Sequence, residues 1–584
     1  MVDQERYPSV YDNDELREWR KNSLLAQAFL RTNGLSFHNH YASATACSPS
    51  RGTLFTGHYP SLHGVSQTTG VAKDAFDDNM YWLDPNTLPT MGEYFRAAGY
   101  RTFYKGKWHV SDEDILIPGT HHALPTYDVT TGAADPDKEH LYLQANRLNP
   151  YGFDGWVGPE PHGKHPRNSG ASAGSGTRGR DEVYAEETIE LIEWLDRAKQ
   201  HAEHESDKEP WLIVTSFINP HDIVLFGAFT ADNPRFHFDA DGVPHIPAPP
   251  TAEEALDTKP SCQASYRSVY PQALQPILDK DFYRRVYYSL QKQADEQMMR
   301  VLEALRKSSF YEDTIVLFVS DHGELLGAHG IHQKWYTAYE EAIHVPFVIH
   351  NPRIFPHGRD AELITSHVDI LPTMLGLAGI DVEEVQHQLQ WRFSEVHPFV
   401  GRDLSSFVLH DKQPEAAPVY FMTDDDVTRG LHQINFRNLS YQSVTQPNHV
   451  ESVIATLRMN HNGLCTNDEL TINSHQVIWK YSRYYDNPQF WTHPGVKDVV
   501  TEQMASDDET GFSRCVTRVK TEPVPDEFEM YNLTDDPLEE KNLINPKYAT
   551  PEINAIRDVL DGLLREQCKA KRLSPTKGLV PGMP

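Results

Sequence analysis

A mostly parallel β-sheet sandwiched by helices, followed by a smaller α+β unit, is the fold that this 584-residue chain predicts. Three observations point to it. Continuous apolar runs at Trp211 to Ile218, Thr314 to Ser320 and Pro346 to His350 read as strands buried on both faces, which need no polar alternation. Long stretches of helical period separate these runs, and strands that alternate with helices tend to pair in parallel. After about residue 430 this rhythm fades, so residues 1–430 read as one large unit and residues 431–584 as a smaller one.

The elements follow in order. A helix is expected over Asn13 to Arg31, with Asn13 as its cap, Leu16, Trp19, Leu24 and Ala28 as its apolar stripe, and Gly34 as its stop. Thr87 to Ala98 predicts a second helix closed by Gly99, and Tyr100 to Tyr104 a short strand. Glu182 to Glu203 and Lys280 to Arg306 predict long helices. Gly158 to Arg180, rich in Gly, Ser, Pro and His, predicts a flexible loop. Phe226 to Gln275 predicts an insertion with little regular structure. Ile478 to Tyr485 is expected as an antiparallel strand, and Lys569 to Pro584 as a tail. No internal repeat is visible.

Composition narrows the function. A net charge of −30 argues against a nucleic-acid partner, which needs basic surface. The same charge opposes long-range steering of an anion, so attraction for one must be local. Cys47, Cys262, Cys465, Cys515 and Cys568 are too few and too scattered for a disulfide framework. No stretch approaches a membrane span and no signal peptide is visible, so a cytoplasmic location is expected.

Chemistry concentrates in a few short segments. Ala46-Cys47-Ser48-Pro49-Ser50-Arg51-Gly52 opens one, and a helix is expected to start after Pro49, where proline suits a first turn. Gly99-Tyr100-Arg101-Thr102 leads to Gly106-Lys107-Trp108-His109. Asn219-Pro220-His221 closes one apolar run, and Ser320-Asp321-His322-Gly323-Glu324 closes another. Lys334 follows in Gly330-Ile331-His332-Gln333-Lys334-Trp335. A strand followed by a turn presents such residues at the carboxyl end of a sheet, where open α/β folds bind ligands.

Together these segments resemble the type I, formylglycine-dependent sulfatases of the alkaline phosphatase superfamily. The resemblance runs through most of residues 3 to 425, and Glu527 to Leu543 is similar to the family's C-terminal motif, a strand running into an Asp-Pro turn. It implies that a maturation enzyme oxidises Cys47 to formylglycine, whose hydrate attacks sulfur. One hydroxyl expels the alcohol, and deprotonation of the other releases sulfate. It also assigns roles. Arg51 belongs to the maturation motif; Lys107 and Lys334 bind sulfate oxygen; His109 helps deprotonate the second hydroxyl; His221 protonates the leaving group. Asp3, Gln4, Asp321 and His322 hold one divalent cation around residue 47. Ca²⁺ is favoured, with Mn²⁺ or Mg²⁺ as alternatives, since carboxylate and amide oxygens suit hard cations and one imidazole moves the choice toward Mn²⁺.

The implied activity is an arylsulfatase-like hydrolase acting on small-molecule sulfate esters. The Asp3-Gln4 and Asp321-His322 pairs also resemble phosphonate monoester hydrolases and phosphodiesterases of the same superfamily, whereas Lys107 and His109 resemble sulfatases. The family places an apolar strand before its first aspartate. Here only Met1 and Val2 precede Asp3, which is therefore expected to lack a strand to hold it. His38, His40, His121 and His122 read as surface or loop residues.

Overall fold

The apolar runs become strands of one central sheet. The computed structural model describes residues 1–161, 166–174, 178–201, 209–460, 463–464, 475–491, 499–504 and 514–576. The sheet contains β1 (Gly34–Tyr41), β2 (Arg101–Gly106), β3 (Trp211–Ser216), β4 (Val316–Val319), β5 (Phe347–His350) and β6 (Arg359–Ser366). β2 and β3 pair in parallel, and β4, β5, β1 and β6 form a second ladder in that order. Met1 to Asp3 join the two ladders. Phe217 N–H donates to the Met1 carbonyl at 3.0 Å, Val2 N–H to Val319 at 3.0 Å, and Asp321 N–H to Val2 at 3.3 Å. Asp3 is thus not short of a strand: the edges of β3 and β4 hold its segment in parallel on both sides. Only β5 runs antiparallel to its neighbours.

Alternate side chains of the sheet feed two cores. Phe318 and Val348 pack with Tyr184, Ala294 and Met298 on one face. Val319 and Ile349 pack with Phe55 and Leu371 on the other. The long helices Arg180–Gln200 and Lys280–Lys307 cover the first face, and Cys47–Thr56, Met91–Ala97 and Ile370–Leu377 cover the second. β3 departs from the expected burial. It is half-buried over Trp211 to Thr215, because an apolar cavity of about 630 Å³ opens between it and β4, against Leu212, Val214, Ile315 and Leu317.

Several elements differ from the sequence reading for local reasons. The first helix is two, Asp14–Ser23 and Leu25–Thr32, broken at Leu24. Asn13 does cap the first, accepting from Leu16 N–H at 2.8 Å. The second begins where the Asp295 carboxylate accepts from Ala26 and Gln27 N–H at 2.8 and 3.0 Å. Gly34 does not stop a helix but starts β1, where a Cβ would lie 2.5 Å from the Ile349 carbonyl oxygen. The next helix starts late, at Met91, because Pro89 disfavours helical backbone at Leu88. His40 lies inside β1, fully buried, with Nδ1 2.9 Å from Thr365 Oγ1, so it is neither a surface nor a loop residue. The insertion around 226–275 contains the helix Ser261–Ala273, whose Tyr266 is buried beside Tyr336.

A second, antiparallel sheet runs Glu527–Asn532, His475–Tyr485, His449–Asn460 and Val419–Thr423, so its last strand comes from before residue 431. The helix Pro551–Lys571 covers it through Ile556, Leu560 and Leu564, and runs into the stretch expected as a tail. Residues 577–584 lie outside the described residues. Cys47, Cys262 and Cys568 are free thiols.

One buried cation fastens this sheet to the first unit. Lys480 Nζ donates to the Ala338 carbonyl at 2.7 Å and lies 2.8 Å from Glu340 and 2.9 Å from Glu539. Burial pushes Glu539 up to about 8 even with Lys480 beside it. Lys480→Met should therefore leave buried acid uncompensated and destabilise the protein by about 3–5 kcal/mol. Urea unfolding reads this directly, and a loss under about 1 kcal/mol would show that the ion cluster is dispensable.

Candidate active site

Cys47 opens the helix Cys47–Thr56, ahead of the start expected after Pro49, and Pro49 sits in its first turn. Every residue of this helix is buried, and Gly57 ends it in the left-handed conformation with φ of 71°. Residue 47 therefore sits at the helix N-terminus, the end that suits an anion. Cys47 Sγ lies 3.1 Å from His322 Nε2, 3.4 Å from Lys334 Nζ and 3.5 Å from Asp3 Oδ1. Burial and Asp3 push the thiol up to about 11, against Lys107 and Lys334. As encoded, residue 47 is a neutral thiol at neutral pH rather than a thiolate.

One turn on, Arg51 faces inward and spans the ends of four adjacent sheet segments. It donates to Asp321 Oδ2 from Nε at 2.8 Å, to Asp3 Oδ2 at 3.1 Å, to the Lys107 carbonyl at 2.7 Å and to Ser216 Oγ at 2.9 Å. Lys107 Nζ lies 2.8 Å from Asp3 Oδ2. All of these side chains are fully buried. Burial alone would raise the Asp3 carboxyl, but the charges of Lys107 and Arg51 hold it well below the usual range. Burial and the neighbouring Asp3 push Asp321 up to about 6.

Asp3, Cys47, Asp321 and His322 bring their ligand atoms within 4.8 Å of one another. The donor set fits a divalent cation. His322 Nδ1 is 3.0 Å from the Gly323 carbonyl, which can only accept, so Nδ1 carries the proton and the Nε2 lone pair faces the cluster. Burial and Lys334 hold His322 well below its ordinary value, keeping it neutral. Gln4, with φ of 72°, donates its amide nitrogen to Glu324 at 2.5 Å and Gln333 at 2.8 Å. That turns Gln4 Oε1 toward the site, where Lys334 Nζ donates to it at 2.5 Å.

A pocket of about 350 Å³ opens outward from Cys47 and Lys334, with His109 and His221 on its walls. His109 has φ of 56° and places Nε2 2.9 Å from Thr69 Oγ1. His221 sits in a turn after β3 that two carboxylates clamp. Asp181 accepts from Ile218 and Asn219 N–H at 2.6 and 3.0 Å. Asp222 accepts from Gly170, Ala171 and Ser172 N–H at 2.8 to 3.1 Å, so this part of the stretch expected as a flexible loop is tied down. Burial and Lys107 hold His221 well below its ordinary value.

The structure thus gathers Asp3, Gln4, Cys47, Arg51, Lys107, His109, His221, Asp321, His322 and Lys334 at one end of the sheet. Arg51 alone of these donates to four groups at once, Asp3, Asp321, the Lys107 carbonyl and Ser216. Sequence reasoning missed Glu324 and Gln333, although both stand inside quoted motifs, and Asp181 and Asp222, which carry no local signal. The family model described as Sulfatase matches residues 11–380. The chain belongs to the sulfatase family. It is 28% identical to the uncharacterized sulfatase YidJ of Escherichia coli (strain K12), over 61% of this chain and 63% of that protein. It is 26% identical to the arylsulfatase of Clostridium perfringens (strain 13 / Type A), over 61% of this chain and 69% of that one. The solved phosphonate monoester hydrolase of Agrobacterium radiobacter shares the alkaline phosphatase-like fold, with a TM-score of 0.53 and 19% identity over 97% of this chain and 95% of that one.

Arg51 supplies a test of this sulfatase-family architecture. Arg51→Leu would strand two buried carboxylates and should destabilise the protein by about 3–5 kcal/mol, measured by thermal and urea unfolding followed by circular dichroism. Arg51→Lys should recover only part of this, because one ammonium cannot span the four partners. Full recovery by lysine would mean that charge alone, not the fork, matters.

Proposed function

We propose that this chain hydrolyses organic sulfate monoesters, arylsulfatase-like in substrate, with residue 47 matured to formylglycine and one divalent cation held by Asp3, Gln4, residue 47, Asp321 and His322. The observation that carries the reading is the placement of Cys47: a buried first-turn residue ringed by Lys334, His322 and Asp3 at the floor of a pocket. Formylglycine would supply an aldehyde hydrate as nucleophile in place of the unreactive thiol. The cation would supply positive charge beside that nucleophile and the sulfate oxygens; Ca²⁺ is expected first, then Mn²⁺ or Mg²⁺.

The chain's own residues do the rest. Lys107 and Lys334 offset the negative charge of the sulfate oxygens, in a buried setting where such contacts are strong. The N–H groups of the Cys47–Thr56 helix add a partial positive charge along its axis. His221 gives a proton to the leaving oxygen; it is neutral in the free protein, and an incoming anion favours its protonated form. His109 takes the proton from the second oxygen of residue 47. Thr69 orients that imidazole.

The second reading is a phosphonate monoester hydrolase or phosphodiesterase. The Gln4 and His322 ligands and the shared fold support it, while Lys107 and His109 support sulfate. Metal-dependent nitrophenol release from the aryl sulfate, the phosphonate monoester and the phosphodiester separates the two. Fastest turnover of either phosphorus ester would overturn the sulfate reading.

Two further outcomes are expected. Protein coexpressed with a formylglycine-generating enzyme should lose the thiol mass at the Cys47 peptide and bind about one divalent cation per chain. Asp321→Ala should abolish both the cation and its stabilising effect on melting. Full activity with an intact thiol, or after exhaustive chelation, would refute this assignment. The two histidines should also fail differently. His221→Ala should cost about 10²–10⁴-fold on esters of weakly acidic alcohols and far less on nitrophenyl sulfate. His109→Ala should instead slow sulfate release, giving a nitrophenol burst and a covalent adduct visible by mass. Equal losses on all substrates, with no burst, would show the roles to be misassigned.

A further inference from the structure

A cation held by Gln4 must meet an oxygen, yet an amide can equally turn its nitrogen forward. The oxygen and the NH₂ are nearly alike in shape, so half a turn of the last side-chain bond exchanges them, and hydrogen bonds decide which faces the site. The main chain of Gln4 is held. Its N–H donates to Asp321 Oδ1 at 3.0 Å, and its carbonyl accepts from the Tyr287 hydroxyl at 2.8 Å. With the main chain fixed, the turn of the amide decides what the cation meets: a lone pair or a pair of N–H dipoles.

Behind Gln4 the protein closes a ring of four side chains. Gln4 Nε2 donates to Glu324 Oε2 at 2.5 Å and to Gln333 Oε1 at 2.8 Å. Gln333 Nε2 donates in turn to the Tyr283 hydroxyl at 3.3 Å, and that hydroxyl donates to Glu324 Oε1 at 3.2 Å. Every direction in the ring traces to Glu324. Its Oε1 also accepts from Leu326 and Gln333 N–H, at 3.1 and 2.8 Å, so the main chain fixes this carboxylate as the ring's acceptor. Tyr283 then gives its proton to Glu324 and accepts from Gln333, which leaves the Gln333 oxygen for Gln4. Both arms meet at Gln4 Nε2, and both require a donor there. Gln4, Tyr283, Glu324 and Gln333 are all fully buried, so bulk water does not compete for these bonds.

Lys334 favours the same orientation from the front, since its ammonium can only donate and lies 2.5 Å from Gln4 Oε1. It also bears directly on Cys47. Glu324 does not: among the described residues its hydrogen bonds go to Gln4, Tyr283, Leu326 and Gln333, and Gln4 is the one site residue of the four. We propose, resting on the reading of Gln4 as a cation ligand, that Glu324 is the positioning residue of the cation site and sets its affinity by holding the Gln4 amide oxygen forward. Partners that orient a ligand from behind commonly govern metal affinity by about 10–100-fold.

Glu324→Gln reverses the cue without changing the shape. Its oxygen takes the donors that fix Oε1, so its NH₂ faces Gln4, and the Gln4 amide must turn its oxygen back and its nitrogen forward. Calorimetry on the matured full chain, stripped of metal and titrated separately with Ca²⁺ and Mn²⁺, reads the effect. Affinity should fall about tenfold in Glu324→Gln and about tenfold in Gln4→Ala, and the two together should fall no further than Gln4→Ala alone, because one acts through the other. Gln4→Glu combined with Glu324→Gln keeps the net charge and lets the ring run the other way. That swap should return affinity to within about threefold of the parent, a rescue that a merely structural role would not give. Circular dichroism of the cation-free proteins shows which variants fold, and the swap carries the test if Glu324→Gln alone does not. Additive losses, unchanged affinity in Glu324→Gln, or a swap still about tenfold weak overturn the proposal. The outcomes stay apart. No binding of either cation by the parent sinks the cation reading itself, and binding that Gln4→Ala does not weaken sinks Gln4 as a ligand. Binding weakened by Gln4→Ala but not by Glu324→Gln sinks the positioning role alone.

Discussion

Everything at the reactive end of this molecule depends on one guanidinium. Arg51 reaches the end of β2 through the Lys107 carbonyl, the end of β3 through Ser216, the inserted first segment through Asp3, and the end of β4 through Asp321. These are neighbouring sheet segments drawn from widely separated parts of the chain. Burying such charges is costly, and the cost is offset only when every donor and acceptor is met with good geometry. The fork meets that condition, with four contacts between 2.7 and 3.1 Å. The same contacts fix the carboxylates in the orientation in which they can face residue 47, so the network that registers the sheet also builds the site.

The charge arrangement places a local cluster of cations inside a strongly acidic protein. The net charge of −30 is a sum over the whole chain, and its exposed part is screened by salt. Within the buried cluster, Arg51, Lys107 and Lys334 stand against Asp3 and Asp321, and the Cys47–Thr56 helix adds its positive end. In a low-dielectric interior these local terms dominate over distant ones. The lowered value of Asp3 and the raised value of Asp321 are the same fact seen from two sides. Two carboxylates packed this closely cannot both be ionised cheaply without added positive charge.

How much of this could be read from the sequence depended on where the partners lay. Cys47, Arg51, Lys107, His109, Asp321, His322 and Lys334 stand in short contiguous motifs, and each apolar run that ended in one of them did become a strand with the motif at its carboxyl end. β1 was illegible because its centre, His38-Asn39-His40, is polar. Those groups are satisfied across the sheet, His40 by Thr365 and Asn39 by the Glu362 carbonyl, more than 300 positions away. The break at Leu24 was hidden for the same reason, since the carboxylate that receives the freed N–H groups is Asp295. Asp181 and Asp222 carry no local signal in the sequence. Only the fold shows that they clamp the His221 turn.

The pocket is built from two materials with different tolerances. Its floor consists of strand ends and one helix N-terminus, fully buried and tied into the Arg51 network, so any change there costs stability as well as chemistry. Its mouth comes from loops. Thr68 to Asp74, Ala273 and Leu274 at the end of the Ser261–Ala273 helix, and the short flap after His432 line it. Asp74 and His432 keep side-chain exposures of 31% and 44%, and the flap's apolar residues more. Substitutions there disturb little buried structure, so they stay within the small energies typical of surface positions. The geometry therefore separates a floor that the sheet holds rigidly from a mouth that the loops leave free to vary.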